Sequence, residues 1–305
     1  MKRLLIVGVL LLNVLVMSGV RAADATSYTV LASIRPIALL MQELAGNLPI
    51  QVETLLPEGA TIHDYALSPG DISRIRSSDL VVWLGPVSEP YLRKLMVGSK
   101  RDLRWNGLPG IMRLPAREAL HEGHDHDEPQ HDELGLDPHI WWSVPNAVEL
   151  SQALVQRIGA ARPQWKAQLE QNARQLNTRL QTQLVKARKR YAAGFAPFLL
   201  AHDAFYYLEE DLGIRSDGAI MLDPEAKPGV KVLLALKRQV AAQNIHCVLT
   251  GTVVPDSLID KVDTQPPLLR ERLDELAWDY KGDRYSEWLA RAYAKVAQCV
   301  GESSD

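Results

Sequence analysis

The chain has 305 residues, a formal net charge of −3, and hydrophobic residues at 47% of its positions. A mildly acidic chain without a basic, aromatic stretch is a poor binder of nucleic acid. Its length is enough for one large domain or for two medium lobes.

Residues 1–22 have the layout of a secretory signal peptide. A positive start is followed by an apolar run from Leu4 to Met17, and small residues precede a cleavage point after Ala22. A membrane anchor is the alternative, but such a run is short for a bilayer span. Cleavage would remove three basic residues and leave a net charge of −6. We therefore expect a soluble periplasmic protein.

The first half of the mature chain alternates short apolar or β-branched runs with helix-like segments. Strands are predicted at 29–33, 50–56 and 80–84, and helices at 37–44 and 69–75. Strands that alternate with helices indicate a mainly parallel sheet with crossover helices.

The segment 121–137 departs from this pattern. It holds seven acidic residues, no Lys or Arg, and four histidines, which are His121, His124, His126 and His131. Such a composition cannot bury a core and predicts a mobile loop.

The most regular segment follows Pro163. Apolar residues recur at spacings of three and four from Trp165 to Tyr191, and the positions between them are polar or charged. One amphipathic helix of about 29 residues, roughly 43 Å long, would explain this pattern. A coiled-coil seam is the alternative.

The second half repeats the alternation of the first. Strands are predicted at 198–201, 219–222, 247–250 and 270–274, and helices at 230–243 and 285–300. The predicted fold class is α/β, with parallel-sheet lobes at 23–160 and 193–305 and one long rigid helix within 161–192. Cys247 and Cys299 suggest one disulfide in an oxidising compartment, with two buried thiols as the alternative.

Three histidines outside the loop share a context, namely His63, His139 and His202. Each follows a predicted strand or loop where an α/β lobe presents its binding edge. Each also has a carboxylate close in sequence, and these are Asp64, Asp137 and Asp203. Three neutral imidazoles suit Zn²⁺, but the spacing alone does not bring them together. His246 matches no ligand pattern and is interpreted as structural.

Three motifs carry a family resemblance. They are LPEGATIHDYALSPGDISRIRSSDLVVWLG at 56–85, LDPHIWWSVPNA at 136–147 and FLLAHDAFYYLEEDLGI at 198–214. In this order they resemble the ligand motifs of the metal-specific solute-binding proteins of ABC importers, the cluster A-I family. The histidine-rich loop, the segment 223–240 and the cysteine pair are similar to its zinc-specific branch.

The resemblance implies a metal site in the cleft between two α/β lobes. His63 and His139 would come from the N-terminal lobe and His202 from the C-terminal lobe. Manganese-specific relatives have a carboxylate at the third position, so His202 favours zinc. The implied function is capture of Zn²⁺ and delivery to an inner-membrane zinc ABC permease by a monomer without enzymatic activity. The loop histidines would bind further zinc weakly.

Three departures from the family pattern concern the rest of the site. Ile62 stands where zinc-specific relatives often have an acidic residue, and Gly251 stands near a usual glutamate. The usual Asp-Pro-Leu-Gly turn is replaced by residues 274–277, Asp-Glu-Leu-Ala. Asp274 is the expected fourth ligand, directly or through water. A register shift by one residue would give this role to Glu275.

The same three histidines could also serve functions other than transport. A periplasmic zinc hydrolase would need an open ligand position, but the chain has no H-E-x-x-H motif. A zinc chaperone or buffer, or a manganese-type binding protein, would use the same histidines. Sequence alone separates these poorly from an importer's receptor.

Overall fold

The computed structural model describes residues 27–63, 65–117, 135–222 and 227–301. The predicted signal peptide at 1–22 and the four loop histidines lie outside these ranges. Within them, no helix combines the length and the apolarity needed to cross a membrane.

The N-terminal lobe is built on a four-stranded parallel sheet of order β2-β1-β3-β4. Its strands are β1 (Tyr28–Ala32), β2 (Ile50–Thr54), β3 (Leu80–Trp83) and β4 (Asp102–Arg104). Its crossover helices are α1 (Arg35–Ala45), α2 (Pro69–Ser77) and α3 (Arg93–Met96). The predicted strands are confirmed, but the short polar β4 gave no apolar signal in the sequence and was missed.

Local sequence explains where the crossover helices begin and end. Ser68 and Asp71 form a capping box at the start of α2, with Pro69 in the first turn. Helix α1 ends at Gly46, whose φ of 56° favours glycine.

Two long antiparallel helices follow, α4 (Val144–Ala161) and α5 (Lys166–Arg190). Pro163 lies in a 3₁₀ turn that leads into α5, and the 25 residues of α5 span about 37 Å. Its buried side is the predicted stripe of Leu169, Ala173, Leu176, Leu180, Leu184 and Ala187. Because α5 packs against α1 and α4 as well as against elements of the second lobe, the long connecting helix is confirmed.

The C-terminal lobe repeats the sheet of the first, with parallel strands in the order β6-β5-β7-β8. They are β5 (Phe198–His202), β6 (Ala219–Met221), β7 (Cys247–Thr250) and β8 (Leu269–Arg272). The helices are α6 (Tyr206–Leu212), α7 (Val230–Ala242), α8 (Asp256–Val262) and α9 (Tyr285–Val300). A disulfide joins Cys247 of β7 to Cys299 of α9, with Cα atoms 5.4 Å apart, as predicted.

The two lobes are held together by partly buried hydrogen bonds from Arg35. The Arg35 guanidinium of α1 donates to the carbonyl oxygens of Ala277, Tyr280 and Gly282, which follow β8. A continuous apolar core also runs through both lobes, from β1 and α1 across α5 to β5 and α9. Hydrogen bonds and a shared apolar core therefore both fix the position of one lobe relative to the other.

Asp211 of α6 is another link between the lobes. Its Oδ2 accepts a hydrogen bond of 2.6 Å from the backbone N–H of Val144, at the first turn of α4. Burial raises the pKa of Asp211 to about 7, and the Val144 N–H and Arg188 oppose this shift.

The raised pKa predicts a loss of stability as the pH rises. Because the folded-state pKa lies above the unfolded value, the contribution of Asp211 is complete below about pH 4 and is lost through about pH 7. The asparagine in Asp211→Asn cannot ionise, so the variant should not lose this stability. Linkage over the whole pKa shift amounts to about 4 kcal/mol. Between pH 4.5 and pH 8, the unfolding free energy of the variant should therefore rise by roughly 2–3 kcal/mol relative to the wild type. Urea unfolding of metal-free protein at both pH values measures this difference.

Glu210→Gln is the matched control, because Glu210 lies on the same helix with its side chain 46% exposed. Its unfolding free energy should follow the wild type at both pH values. A pH profile for Asp211→Asn that is parallel to the wild type would contradict the prediction.

Candidate metal centre

Three histidines converge at the carboxyl edges of the two sheets. His202 is the last residue of β5, and His63 lies in the connection between β2 and α2. His139 immediately precedes a 3₁₀ turn, Ile140–Trp142, that leads into α4. In open parallel sheets ligands bind at this edge, where successive crossovers leave on opposite faces. Both lobes therefore contribute to one point.

The geometry of the three rings is compact. Each offers a nitrogen, and these three atoms lie within 4.8 Å of one another. The ring centroids are 5.4 Å apart for His139 and His202, 5.9 Å for His63 and His139, and 6.0 Å for His63 and His202. Zinc–nitrogen bonds are about 2.0–2.1 Å long, so a small inward movement of the rings would let one ion contact all three.

His139 is oriented by Asp137. The carboxylate Oδ1 lies 2.9 Å from His139 Nδ1 and also accepts a 2.8 Å hydrogen bond from the His139 backbone N–H. A carboxylate on one ring nitrogen fixes the tautomer and leaves the other nitrogen for a metal. The predicted carboxylate neighbour is thus confirmed for His139, while Asp64, next to His63, lies outside the described residues.

His202 is the most deeply buried of the three, at 2% exposure. Among the described residues neither ring nitrogen has a hydrogen bond of normal geometry. The pKa of His202 is lowered to about 3, because burial disfavours the imidazolium and because His139 and His63 are close. A neutral buried imidazole whose nitrogens lack a well-formed hydrogen bond has the chemistry of a zinc ligand.

Asp203 does not support His202, contrary to the sequence expectation. Its carboxylate instead pairs with Arg117 at 3.2 Å. Arg117 also contacts the buried Glu209 of α6, and its guanidinium lies over the Tyr206 ring. This charged cluster joins the chain before residue 118 to the C-terminal lobe and leaves the imidazole of His202 unconstrained by Asp203.

The space between the rings is small. A cavity of about 20 Å³ is lined by the three histidines with Ile62, Trp141, Thr252, Val253, Glu275, Leu276 and Thr61. One water-sized sphere needs roughly 10–15 Å³, so this volume suits one ion or one water molecule. Trp141 walls the cavity, whereas Trp142 stacks on Trp288 with ring centroids 4.5 Å apart within the core.

The turn after β8 determines which carboxylate faces the cavity. Asp274 Oδ1 accepts from the Leu276 N–H and Oδ2 from the Asp279 N–H, so both oxygens hold the turn. Asp274 lines a neighbouring cleft of about 650 Å³ and, like Glu275, is not among the residues whose ligand atoms converge within 4.8 Å. Glu275 lines the histidine cavity in its place. Ala277 has a φ of 61°, where the family's turn has glycine.

Sequence reasoning also missed Thr252, which donates to Glu275 Oε2 from its backbone N–H and its hydroxyl, both at 3.0 Å. Gly251 was noted only as a departure from the family pattern. At 251 a glycine stands in place of an acidic residue, and at 275 an acidic residue stands in place of a proline. These two differences together are the signal that could have placed a carboxylate from position 275 beside Gly251.

The chain is similar to known proteins of zinc uptake. A family model described as "ZnuA: Zinc-uptake complex component A periplasmic" matches residues 30–299. The high-affinity zinc uptake system protein ZnuA of Yersinia pestis is 29% identical over 302 residues, covering 91% of this chain and 92% of that protein. The protein of the same name from Haemophilus ducreyi is 29% identical, covering 94% and 98%.

Solved structures support the fold. A Zn(II)-bound mutant variant of AdcAII from Streptococcus pneumoniae matches with a TM-score of 0.75 at 20% identity and covers 90% of this chain and 98% of that one. A crystal structure of ZnuA matches with a TM-score of 0.72 at 19% identity, covering 90% and 99%. Because the family model spans most of the sequence, the chain belongs to the family of the periplasmic component A of zinc-uptake complexes.

Proposed function

We propose that this chain captures Zn²⁺ in the periplasm through His63, His139 and His202 and delivers it to an inner-membrane ABC permease. One observation carries the proposal: three imidazoles from two lobes meet within 4.8 Å around a cavity of about 20 Å³. The zinc uptake named for the relatives from Yersinia pestis and Haemophilus ducreyi supports the same function.

The donor set favours zinc over manganese. Three neutral nitrogen ligands suit Zn²⁺, whereas Mn²⁺ prefers carboxylate and other hard oxygen ligands. His202, with a pKa lowered to about 3, needs to lose no proton before binding a metal at neutral pH. We propose Glu275 or water at the fourth position, because both oxygens of Asp274 are engaged in the turn.

The relatives and the sequence motifs favour capture over hydrolysis. The proteins from Yersinia pestis and Haemophilus ducreyi are named for zinc uptake. The chain also has no H-E-x-x-H motif, which would supply both ligands and a general base to a hydrolytic zinc. We therefore propose a monomeric, non-enzymatic receptor with lobes at 23–160 and 193–305 and a connecting segment at 161–192.

Two measurements test this function. Chelator competition with the purified mature chain should give one tight zinc site and much weaker manganese binding. In a bacterium that lacks its own periplasmic zinc receptor, this chain should restore growth under zinc chelation if it is expressed together with a permease that accepts it. Absence of tight zinc binding would refute the capture site, whereas tight binding without growth would indicate a buffer.

The loop histidines lead to a separate prediction. Deleting residues 121–134 should lower the number of bound zinc ions to one and leave the tight site intact, because a polar, acidic segment of this composition is expected to lose conformational entropy when it binds a metal. The deletion must stop before Asp137, which orients His139. Pro115 and Leu136 form a bridge that keeps the two cut ends together.

A replacement of the same residues by a Gly/Ser segment of equal length is the control for chain connectivity. Zinc stoichiometry by equilibrium dialysis and affinity by chelator competition are measured for both. Loss of the tight site in both variants would show that the loop belongs to the primary coordination.

A further inference from the structure

Gly251 lies directly after β7, beside the histidine cavity. A Cβ atom added there would lie 1.5 Å from Glu275 Oε1, 2.3 Å from its Cδ and 2.8 Å from its Oε2. The Glu275 carboxylate therefore occupies the volume that any side chain at 251 would fill. The φ of Gly251 lies outside the left-handed region, so space rather than backbone conformation requires glycine here.

The backbone and one carboxylate oxygen of Glu275 are held by hydrogen bonds. Oε2 accepts two hydrogen bonds from Thr252, and the backbone oxygen of Glu275 accepts one of 2.9 Å from Trp141 Nε1. The residue is 5% exposed, and in the described part of the chain Oε1 has no hydrogen-bond partner. A buried carboxylate oxygen without a donor is costly unless a cation is bound near it.

We propose that Gly251 is a positioning residue, whose missing side chain admits the Glu275 carboxylate to the wall of the histidine cavity, beside the three imidazoles. This inference rests on the proposed function. Three imidazoles leave the charge of Zn²⁺ at +2, and a carboxylate beside them halves it within a buried site. A side chain at 251 would force the carboxylate away from Thr252 and remove this compensation.

Gly251→Ala in the full mature chain tests the inference. We expect zinc affinity to fall by about 10–100-fold, the range typical when a group that supports a metal site is lost. The visible spectrum of Co²⁺ bound in place of zinc responds to its ligands, and it should change toward that of Glu275→Gln. Gly70→Ala is the matched control, because Gly70 lies in the first turn of α2 and a Cβ there meets only the Ser68 hydroxyl at 3.5 Å.

A double-mutant cycle separates positioning from general damage. If Gly251 acts only through Glu275, then Gly251→Ala should change zinc affinity little in a Glu275→Ala background. Circular dichroism and thermal unfolding show that each variant is folded. Wild-type affinity in Gly251→Ala, or an equal loss in both backgrounds, would overturn the inference.

The same titrations distinguish this inference from the proposed function. If His202→Ala loses zinc while Gly251→Ala binds as the wild type, only the positioning role fails. If His202→Ala also binds as the wild type, the capture site itself is wrong.

Discussion

Replacing His202 with alanine is expected to weaken zinc binding by at least about 100-fold. Loss of a group that merely orients a ligand costs about 10–100-fold, and loss of a ligand should cost no less. In the proposed site His202 is the ligand contributed by the C-terminal lobe, so its removal would leave the ion bound mainly from one side of the cleft. The ring is 2% exposed, so the substitution leaves a buried space that contains no nitrogen donor.

Chelator competition measures the affinity, and zinc-dependent thermal unfolding provides a second readout. A ligand at 100 times its Kd adds about 2.7 kcal/mol to the stability of the folded state, and this gain should largely disappear in His202→Ala. His246→Ala is the matched control, because His246 is exposed at the start of β7 and should bind zinc as the wild type.

Alanine variants of the other two histidines provide a further test of the proposed site. His63→Ala and His139→Ala should weaken binding as well, because all three nitrogens lie within 4.8 Å. If all three single variants kept wild-type affinity, the site would lie elsewhere in the chain.

Removing the disulfide should give the largest loss of stability, about 4 kcal/mol for the double change Cys247→Ser and Cys299→Ser. The two cysteines are 52 positions apart, and closing a loop of that size restricts the unfolded chain by about this amount in the chain-entropy model. Both residues are buried, and their bond attaches the last helix to a central strand of the C-terminal sheet.

Urea unfolding of the metal-free protein measures this loss. Wild-type protein treated with a reductant is the control, and it should approach the stability of the double variant. Zinc affinity should change by no more than a few-fold where the variant is folded, since Cys247 begins β7 and the metal centre lies beyond its end. An unchanged unfolding free energy would contradict the prediction.

The sequence by itself determined the two α/β lobes and the helix between them. The stripe from Leu169 to Ala187 could be recognised because helix burial has a period of 3.6 residues that no other element imitates over 25 residues. Buried strands such as Leu80–Trp83 were recognisable because both faces are covered and the residues are all apolar. The polar strand Asp102–Arg104 has neither signal.

The carboxylate at the metal centre could not be assigned from the sequence. Asp274 and Glu275 are neighbours, and both are acidic and buried. Hydrogen bonds from Leu276 and Asp279 turn the first carboxylate into the loop, and the space left by Gly251 receives the second. Sequence patterns do not contain such contacts between β7 and the turn after β8.

The convergence of the three histidines was likewise decided by the tertiary structure. Motifs similar to those of a known family singled out His63, His139 and His202, but positions up to 139 residues apart have no local reason to meet. They meet because parallel strands end at one edge of each sheet and α5 fixes the two sheets against each other. The sequence specified the candidate ligands, and the packing of the lobes determined where the three imidazoles meet and which carboxylate lines their cavity.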